Sequence, residues 1–462
     1  MSFFDKYIKA VRYLLPSPFT IAIVLTLFTL ILGVIWPSHN IVEEISWSQK
    51  VLKVLTYWNA GLWNTKGLAF AIQMMLMLLL GHVLALSKPI DNLINQILPF
   101  CKNNAKSALL VTLFTLMVSW FNWGLGLVFG AIFCKKIMEY ASKASIPLNY
   151  GLIGAAGYSG LMIWHGGISG SSLVKISEPG HLKDLVPQNV QNNVPEIIDF
   201  SQTVFSTMNI YITLALLVVL PLSMYVLGKK ASVKVPAISF NKEKINQKIK
   251  LIGAEKIDQS KFTGTIVGLL VVVFCIFLAI NHPSTKTFQF INPNYLNLSL
   301  LGLALLCHGN INNFINSVEK AIGGTAGILI QFPLYFGIMG IVKETGMIND
   351  IASYFQTIST ELTYPLYTLL SAGMVNFFVP SGGGQWYIQG PLVIQSSLEM
   401  GIPLHKSILA LAYGDQLTNM MQPFWALPLL GITGLKAKDI LPYTFILMFI
   451  GLLIFSLGLV IF

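Results

Sequence analysis

The sequence predicts an all-α polytopic membrane protein made of two inverted-topology repeats, each with a re-entrant hairpin and a broken helix. Four observations carry that expectation. Of 462 residues, 54% are hydrophobic and only 10% are charged, where soluble domains carry about a quarter charged residues. Mean hydropathy is +0.69, and several runs reach the roughly 20 apolar residues that a membrane helix needs. Glycine- and amide-rich words interrupt those runs, above all Asn376-Phe-Phe-Val-Pro-Ser-Gly-Gly-Gly-Gln-Trp-Tyr-Ile-Gln-Gly-Pro391. Finally, three landmarks recur in order: Gln73, Asn122 and Tyr158 match Gln331, Asn376 and Tyr413, at offsets of 258, 254 and 255 residues.

The elements follow in order. Lys6, Lys9 and Arg12 precede a first span at Thr20–Ile35. The run is too long for a signal peptide and ends at Trp36-Pro37 without a small-residue cleavage pattern, so a retained span is expected, with the N-terminus cytoplasmic. The stretch to Asn64 reads as an outside loop whose Trp47, Tyr57, Trp58 and Trp63 suit an interface. Gly67–Leu86 is span two, carrying Gln73 and His82. Ser107–Cys134 has basic residues on both flanks and Asn122-Trp-Gly-Leu-Gly at its centre. Arms of about 14 residues at about 1.5 Å of rise do not cross a core of about 30 Å, so a hairpin that enters and leaves on one side is expected. Asn149–Ser172 is a glycine-rich crossing, followed by an acidic outside loop with Glu178, Asp184, Glu196 and Asp199, and a return at Thr203–Leu227. The lysine cluster from Lys229 to Lys261 fits a cytoplasmic linker. Beyond it come crossings at Phe262–Asn281, Tyr295–His308 and Ile322–Val342, the hairpin Tyr364–Val393, the broken crossing Ser407–Gly434 and a last span at Leu441–Phe462. The organisation is a first membrane repeat at 1–227, a basic cytoplasmic linker at 228–261, and a linking span plus second repeat at 262–462. The charges run the Gln73 span inward and the Gln331 span outward. Such inverted repeats are a common design of secondary transporters, with sites at the repeat interface. Gln73 and Gln331 are expected to tie their spans to the hairpins.

At membrane depth, broken backbone survives only where protein or a water-filled cavity satisfies its polar groups. Gly382, Gly383 and Gly384 let the chain turn and let a ligand approach the backbone, and a helix restarting at Gln385 would aim its first N–H groups at an anion. The only arginine is Arg12. A buried carboxylate therefore has no guanidinium fork and depends on helix ends, each contributing about 0.3–1 kcal/mol when exposed, with amides and hydroxyls. Ser381, Gly382, Gly383, Gly384 and Gln385 are the expected carboxylate site, faced by Asn122, Gly124 and Gly126, with Asn376 as a buttress. Asp415 stands inside an apolar segment, where ionisable groups are expensive and usually functional. With Thr418, Asn419 and His165 it forms the expected coupling-ion site; His82 is a weaker candidate. Trp123, Trp164, Trp386 and Trp425 are candidate pocket walls.

The Asn376–Pro391 stretch and Gly414-Asp-Gln…Asn419-Met-Met-Gln-Pro-Phe-Trp-Ala-Leu-Pro428 resemble the short-chain fatty acid transporters of bacteria, the acetoacetate/butyrate uptake family. Thr325-Ala-Gly-Ile-Leu-Ile-Gln-Phe-Pro333, Asn122-Trp-Gly-Leu-Gly-Leu-Val and Leu15-Pro-Ser-Pro-Phe carry the same resemblance, which runs nearly end to end. It implies secondary transport of small monocarboxylates across the bacterial inner membrane. The family has His where this chain has Gln385, and Glu where it has Asp415. Substrate range and the coupling ion, H⁺ or Na⁺, therefore stay open.

The expected partners are a small monocarboxylate, H⁺ or Na⁺ and the lipid bilayer; a homodimer is left open. The net charge of +10 gathers in loops and is no nucleic-acid footprint. Cys101, Cys134, Cys275 and Cys307 lack metal-ligand spacing, and no Gly-x-x-x-x-Gly-Lys-[Ser/Thr] word occurs, so no cofactor or metal is expected. An enzyme would need a nucleophile–base pair that the sequence does not display. The alternatives are a C4-dicarboxylate carrier, or a cation/proton antiporter, which would predict several intramembrane carboxylates where Asp415 stands nearly alone.

Overall fold

The computed structural model describes residues 18–36, 46–177, 180–186, 191–231, 253, 255–282, 290, 293–347, 350, 354, 357–378, 380 and 382–462. Ser381, Arg12 with the basic N-terminal flank, Glu178 and most of the lysine-rich linker lie outside the described residues.

Among the described residues the secondary structure is entirely helical. Five helices among the described residues are long and apolar enough to cross a membrane: Gly67–Leu84, Asn104–Phe121, Thr207–Lys230, Lys261–Asn281 and Ala437–Ile461. A sixth candidate is a pair, Ile311–Thr325 and Leu329–Glu344, bent by 41° at its break. The chain is a multi-pass membrane protein.

In chain order the first half comprises α1 (Pro18–Ile35), α2 (Trp47–Leu62), α3 (Thr65–Ala85), α4 (Lys88–Ile97), α5 (Asn104–Phe121), α6 (Trp123–Lys143), α7 (Tyr150–Tyr158), α8 (Ser171–Ile176), α9 (His181–Leu185) and α10 (Thr207–Lys230). Helices α11 (Lys261–Asn281) and α12 (Pro293–His308) follow. The second half has α13 (Ile311–Ala321), α14 (Ala326–Glu344), α15 (Tyr364–Phe378), α16 (Gly382–Glu399), α17 (Leu404–Thr418), α18 (Pro423–Thr433) and α19 (Ala437–Ile461).

Two expectations change. The stretch before Asn64, expected as an outside loop, folds as α2. Ser46 and Gln49 close a capping box at its start, a signal present in the sequence that the aromatic pattern obscured. Its glycine face packs against α14: a Cβ on Gly61 would lie 2.3 Å from the Phe336 carbonyl oxygen, and one on Gly340 2.5 Å from that of Tyr57. This is the close backbone approach that small residues permit between membrane helices. The hairpin around Asn122 also differs from expectation. Its arms have 18 and 21 residues, about 27 and 32 Å at 1.5 Å per residue, because Asn103 starts α5 early by accepting from the Lys106 N–H at 3.0 Å and α6 continues past Cys134. Arms of 14 residues, the ground for a re-entrant hairpin here, are not what the chain forms.

Gln73 does not tie α3 to a hairpin. Its amide donates to Asn294 Oδ1 at 2.7 Å, and Asn297 donates back to the Gln73 carbonyl at 3.0 Å, joining α3 to α12. Gln331 is buried, and its Oε1 has no hydrogen-bond partner.

Candidate functional site

Both halves break a helix in the interior. In the first, α7 tightens into a 3₁₀ turn at Ser159–Met162 and runs irregularly until α8. In the second, α17 tightens at Asn419–Met421, and Gln422 is extended (φ −88°, ψ 114°) before α18. Proline at position 423 forces that: it excludes helical backbone at the residue before it, then serves as a good first residue of the next helix. Asn122 makes the corresponding junction between α5 and α6. It is extended (φ −150°, ψ 122°), and its Oδ1 accepts the Leu125 N–H at 2.9 Å.

The two breaks are locked to each other reciprocally. Tyr158 donates its hydroxyl to the carbonyls of Asn419 (2.6 Å) and Gln422 (3.0 Å). Tyr413 donates to Asn209 Oδ1 (2.8 Å), whose amide donates to the Gly166 carbonyl (2.8 Å). Gln416 Oε1 accepts the N–H groups of His165 (2.8 Å) and Gly166 (3.3 Å). Unwound backbone that would be unaffordable in lipid is thus satisfied from the opposite half.

At the centre lies His165 against Asp415, with Nδ1 and Oδ2 2.6 Å apart and the side chains 0% and 1% exposed. The contact is close, but its angle is poor and neither atom completes a hydrogen bond. On the other ring edge, Nε2 accepts the Ser172 N–H at 3.2 Å, with the Ser172 hydroxyl at 2.9 Å. An N–H aimed at Nε2 needs a lone pair there. The hydrogen-bond network therefore assigns the neutral tautomer, with the ring proton on Nδ1 facing the carboxylate. Trp164 stacks on the imidazole at 4.3 Å.

The start of α16 closes on this pair. A Cβ on Gly382 would lie 2.7 Å from Trp164 Cη2, 2.8 Å from Asp415 Oδ2 and 2.9 Å from His165 Cε1. Gly383 is roomier, with its nearest neighbour Ser171 Cβ at 4.0 Å. Asn376 braces the break from α15. Its amide donates toward the Asp415 carbonyl (2.7 Å), Thr418 Oγ1 (2.9 Å) and Asn419 Oδ1 (2.9 Å), three acceptors for two N–H groups, while its own carbonyl accepts from Gln422 at 2.7 Å. Gln385 points away from the pair, donating to the Ala372 carbonyl and Gln389 Oε1, both at 2.9 Å.

The junction at Asn122 reaches the same centre through aromatics. Trp123 lies 5.8 Å from Trp164 and 5.4 Å from Trp425, ring centroid to centroid, and its N–H donates to Ser169 at 3.0 Å. Asn122 Nδ2 and Trp164 Nε1 are buried donors without partners among the described residues. Gly124 and Gly126 are close-packing positions: a Cβ would meet Met77 Sδ at 1.8 Å and Ser119 Oγ at 1.9 Å respectively. Trp386 is fully buried and donates to His181 at 2.9 Å, and His82 is buried with Nδ1 unpartnered. Sequence reasoning missed Ser172, Gln416 and Asn209. Gln416 adjoins Asp415 in the same word, but Asn209 lies one turn into an apolar span and only its fold partners distinguish it.

The fold and site define a class: a polytopic helical membrane protein whose two interior helix breaks lock together around a buried His–Asp pair. The family model described as Short chain fatty acid transporter matches residues 3–462, and the chain belongs to that family. A protein of Escherichia coli (strain K12) named "Putative short-chain fatty acid transporter" is 33% identical over 453 residues, covering 97% of this chain and 96% of its own. One of Haemophilus influenzae with the same name is 33% identical over 457 residues, covering 96% of each. Among solved structures, MtrF of Neisseria gonorrhoeae, described with a class of antimetabolite efflux pumps, aligns with TM-score 0.46 and 14% identity over 98% of this chain and 97% of its own. A likeness that loose bears no weight on function.

Proposed function

We propose that the protein is a secondary transporter that carries short-chain fatty acids, acetoacetate, butyrate and similar monocarboxylates, across the bacterial inner membrane, coupled to H⁺ or Na⁺. The observation that carries this reading is the His165–Asp415 pair, buried where the two helix breaks meet. Among the described residues Asp415 is the only buried carboxylate. A charge there is costly unless it is used. The substrate carboxylate is held by Ser381, by the start of α16 (Gly382, Gly383, Gly384) and by buried donors such as Asn122 Nδ2 and Trp164 Nε1, and its acyl chain lies among Trp123, Trp164 and Trp425. Asp415 takes the coupling ion, with His165 as proton partner if the ion is H⁺, or with Thr418, Asn419 and break carbonyls if it is Na⁺. The reciprocal Tyr158 and Tyr413 bonds support an inverted repeat, because equivalent residues do equivalent work in opposite halves. A monoanion suits a site without fixed positive side chains; a dicarboxylate would need further compensation.

The test is uptake of labelled acetoacetate or butyrate into proteoliposomes under an imposed pH or Na⁺ gradient, with succinate as competitor. Accumulation driven by one gradient and unaffected by succinate is expected. Equal competition by succinate would favour a dicarboxylate carrier and sink the monocarboxylate assignment. Ser381→Ala should weaken affinity; unchanged affinity and rate would remove that hydroxyl from the site.

A further inference from the structure

We propose that the seam between α15 and α16 is a hydrated proton path joining the His165–Asp415 pair to the membrane face at Tyr364 and Glu399. The inference rests on Asp415 and His165 handling a coupling proton. Tyr364, Thr368 and Ser371 repeat at spacings of four and three along α15, and Gln385, Gln389 and Ser396 at four and seven along α16, so each set forms one helix face. Hydrogen bonds bring the two faces together. Gln385 Nε2 donates to the Ala372 carbonyl and to Gln389 Oε1, each at 2.9 Å; Gln389 Nε2 donates to Ser371 Oγ at 3.1 Å; and Ser371 donates to the Thr368 carbonyl at 3.1 Å. Every donor in this file points away from Gly382 and toward Tyr364.

The seam is buried yet incompletely paired. Gln385 Oε1, at 0% exposure, has no hydrogen-bond partner among the described residues, and Thr368 Oγ1 and Ser396 Oγ, at 3% and 1%, have only the single Tyr364 hydroxyl to share between them. The hydroxyls of Ser397, near the end of α16, and Ser407, in the first turn of α17, are also buried and unpaired among the described residues. Some buried hydroxyls elsewhere in the chain fold back on the carbonyl four residues earlier, as Thr112, Thr345 and Thr433 do, whereas Thr115 Oγ1 does not. Thr368 and Ser396 instead face Tyr364. Ser119 is unpaired too, but it is wedged between Gly126 and Gly160 and leads nowhere. A dry seam would leave each free oxygen with its full desolvation penalty. A water needs two to four polar partners, and these oxygens supply them in series.

The length fits. Gln385 to Ser396 spans about 16 Å at 1.5 Å per residue, half of a core of about 30 Å. Gly382, one turn before Gln385, abuts Asp415 Oδ2. At the outer end, α15 begins at Tyr364 and α16 ends at Glu399. A proton entering there passes from water to water, one O–H bond forming as the next breaks. It ends on a carboxylate oxygen of Asp415, leaving a neutral water behind. The amides hold the waters and are not themselves protonated.

The test uses the full chain in proteoliposomes with an internal pH dye, protein-free vesicles being subtracted. Acetoacetate-linked proton uptake is compared with acetoacetate counterflow, which needs no net proton. Gln389→Leu and Thr368→Val should each lower proton uptake at least about tenfold, one barrier raised by about 1.4 kcal/mol, while counterflow stays near wild type. Thr368→Val, which exchanges a hydroxyl for a methyl at nearly constant volume, decides the matter if Gln389→Leu fails to fold. Unchanged proton uptake in Thr368→Val overturns the path. Wild-type accumulation that follows Na⁺ and moves no proton also overturns it, while leaving the transport reading intact. Absence of wild-type counterflow sinks the transport reading itself.

Discussion

Adding one methyl group at Gly382 tests whether the start of α16 must close on the His165–Asp415 pair. In Gly382→Ala the new Cβ would meet Trp164 Cη2 at 2.7 Å, Asp415 Oδ2 at 2.8 Å and His165 Cε1 at 2.9 Å. Against an ordinary contact of about 3.5 Å these fall short by about 0.6–0.8 Å. The three neighbours cannot yield separately. Trp164 is stacked on His165, and His165 is held by Ser172 on its far edge. Overpacking of a filled interior costs about 1–3 kcal/mol. If that strain falls on the state that closes over substrate, initial uptake should drop by about 5- to 150-fold. The control is Gly323→Ala, where a Cβ meets nothing within 4 Å and uptake should stay near wild type. Initial rates of labelled acetoacetate uptake in proteoliposomes, with thermal stability in detergent measured in parallel, separate a blocked site from a damaged fold. Wild-type uptake and stability in Gly382→Ala would refute the claim that α16 seats directly on the pair.

Three further outcomes follow from the same geometry. Asp415→Asn should abolish concentrative uptake and leave some exchange, because the amide keeps the packing but cannot take the coupling ion; undiminished accumulation would exclude Asp415 from coupling. Tyr158→Phe and Tyr413→Phe should destabilise the protein comparably, by about 1–3 kcal/mol each as buried acceptors lose a donor. Denaturation midpoints in detergent measure this, and a large effect from one tyrosine alone would count against reciprocal locking of the two breaks. Gly61→Ala should be strongly destabilising, since its Cβ would stand 2.3 Å from a backbone oxygen of α14; full expression and normal stability would mean that α2 does not pack there.

Much of the fold was legible because lipid imposes simple rules. Long uncharged runs must be helices, so α3, α10, α11 and α19 could be read within a few residues. Glycine, proline and amides in mid-run must mark breaks, so 158–172 and 413–434 stood out. Elements whose signal is local capping and not hydropathy were harder to read. Helices α2 and α13 carry mixed polar faces. The Ser46–Gln49 box and the Asn310 cap, whose Oδ1 accepts the Asn313 N–H at 2.8 Å, name them only once helix is already suspected. The length of the arms around Asn122 was misjudged because lysines were taken as the ends of helices that in fact continue through them.

By itself the sequence determined the kind of protein: membrane-embedded, interrupted by glycine, proline and amides, with Asp415 in an apolar run and no arginine in any apolar run to neutralise an anion. Those properties follow from composition and spacing, which act along the chain. Only the tertiary structure decided which polar groups meet. It set His165 against Asp415 across 250 residues, sent Tyr158 and Tyr413 each toward the other half, turned Gln385 away from the pair into the α15–α16 seam, and tied Gln73 to α12. A buried polar group must find a partner wherever the packing of helices offers one, and that choice is made in space, where no spacing rule along the chain can specify it.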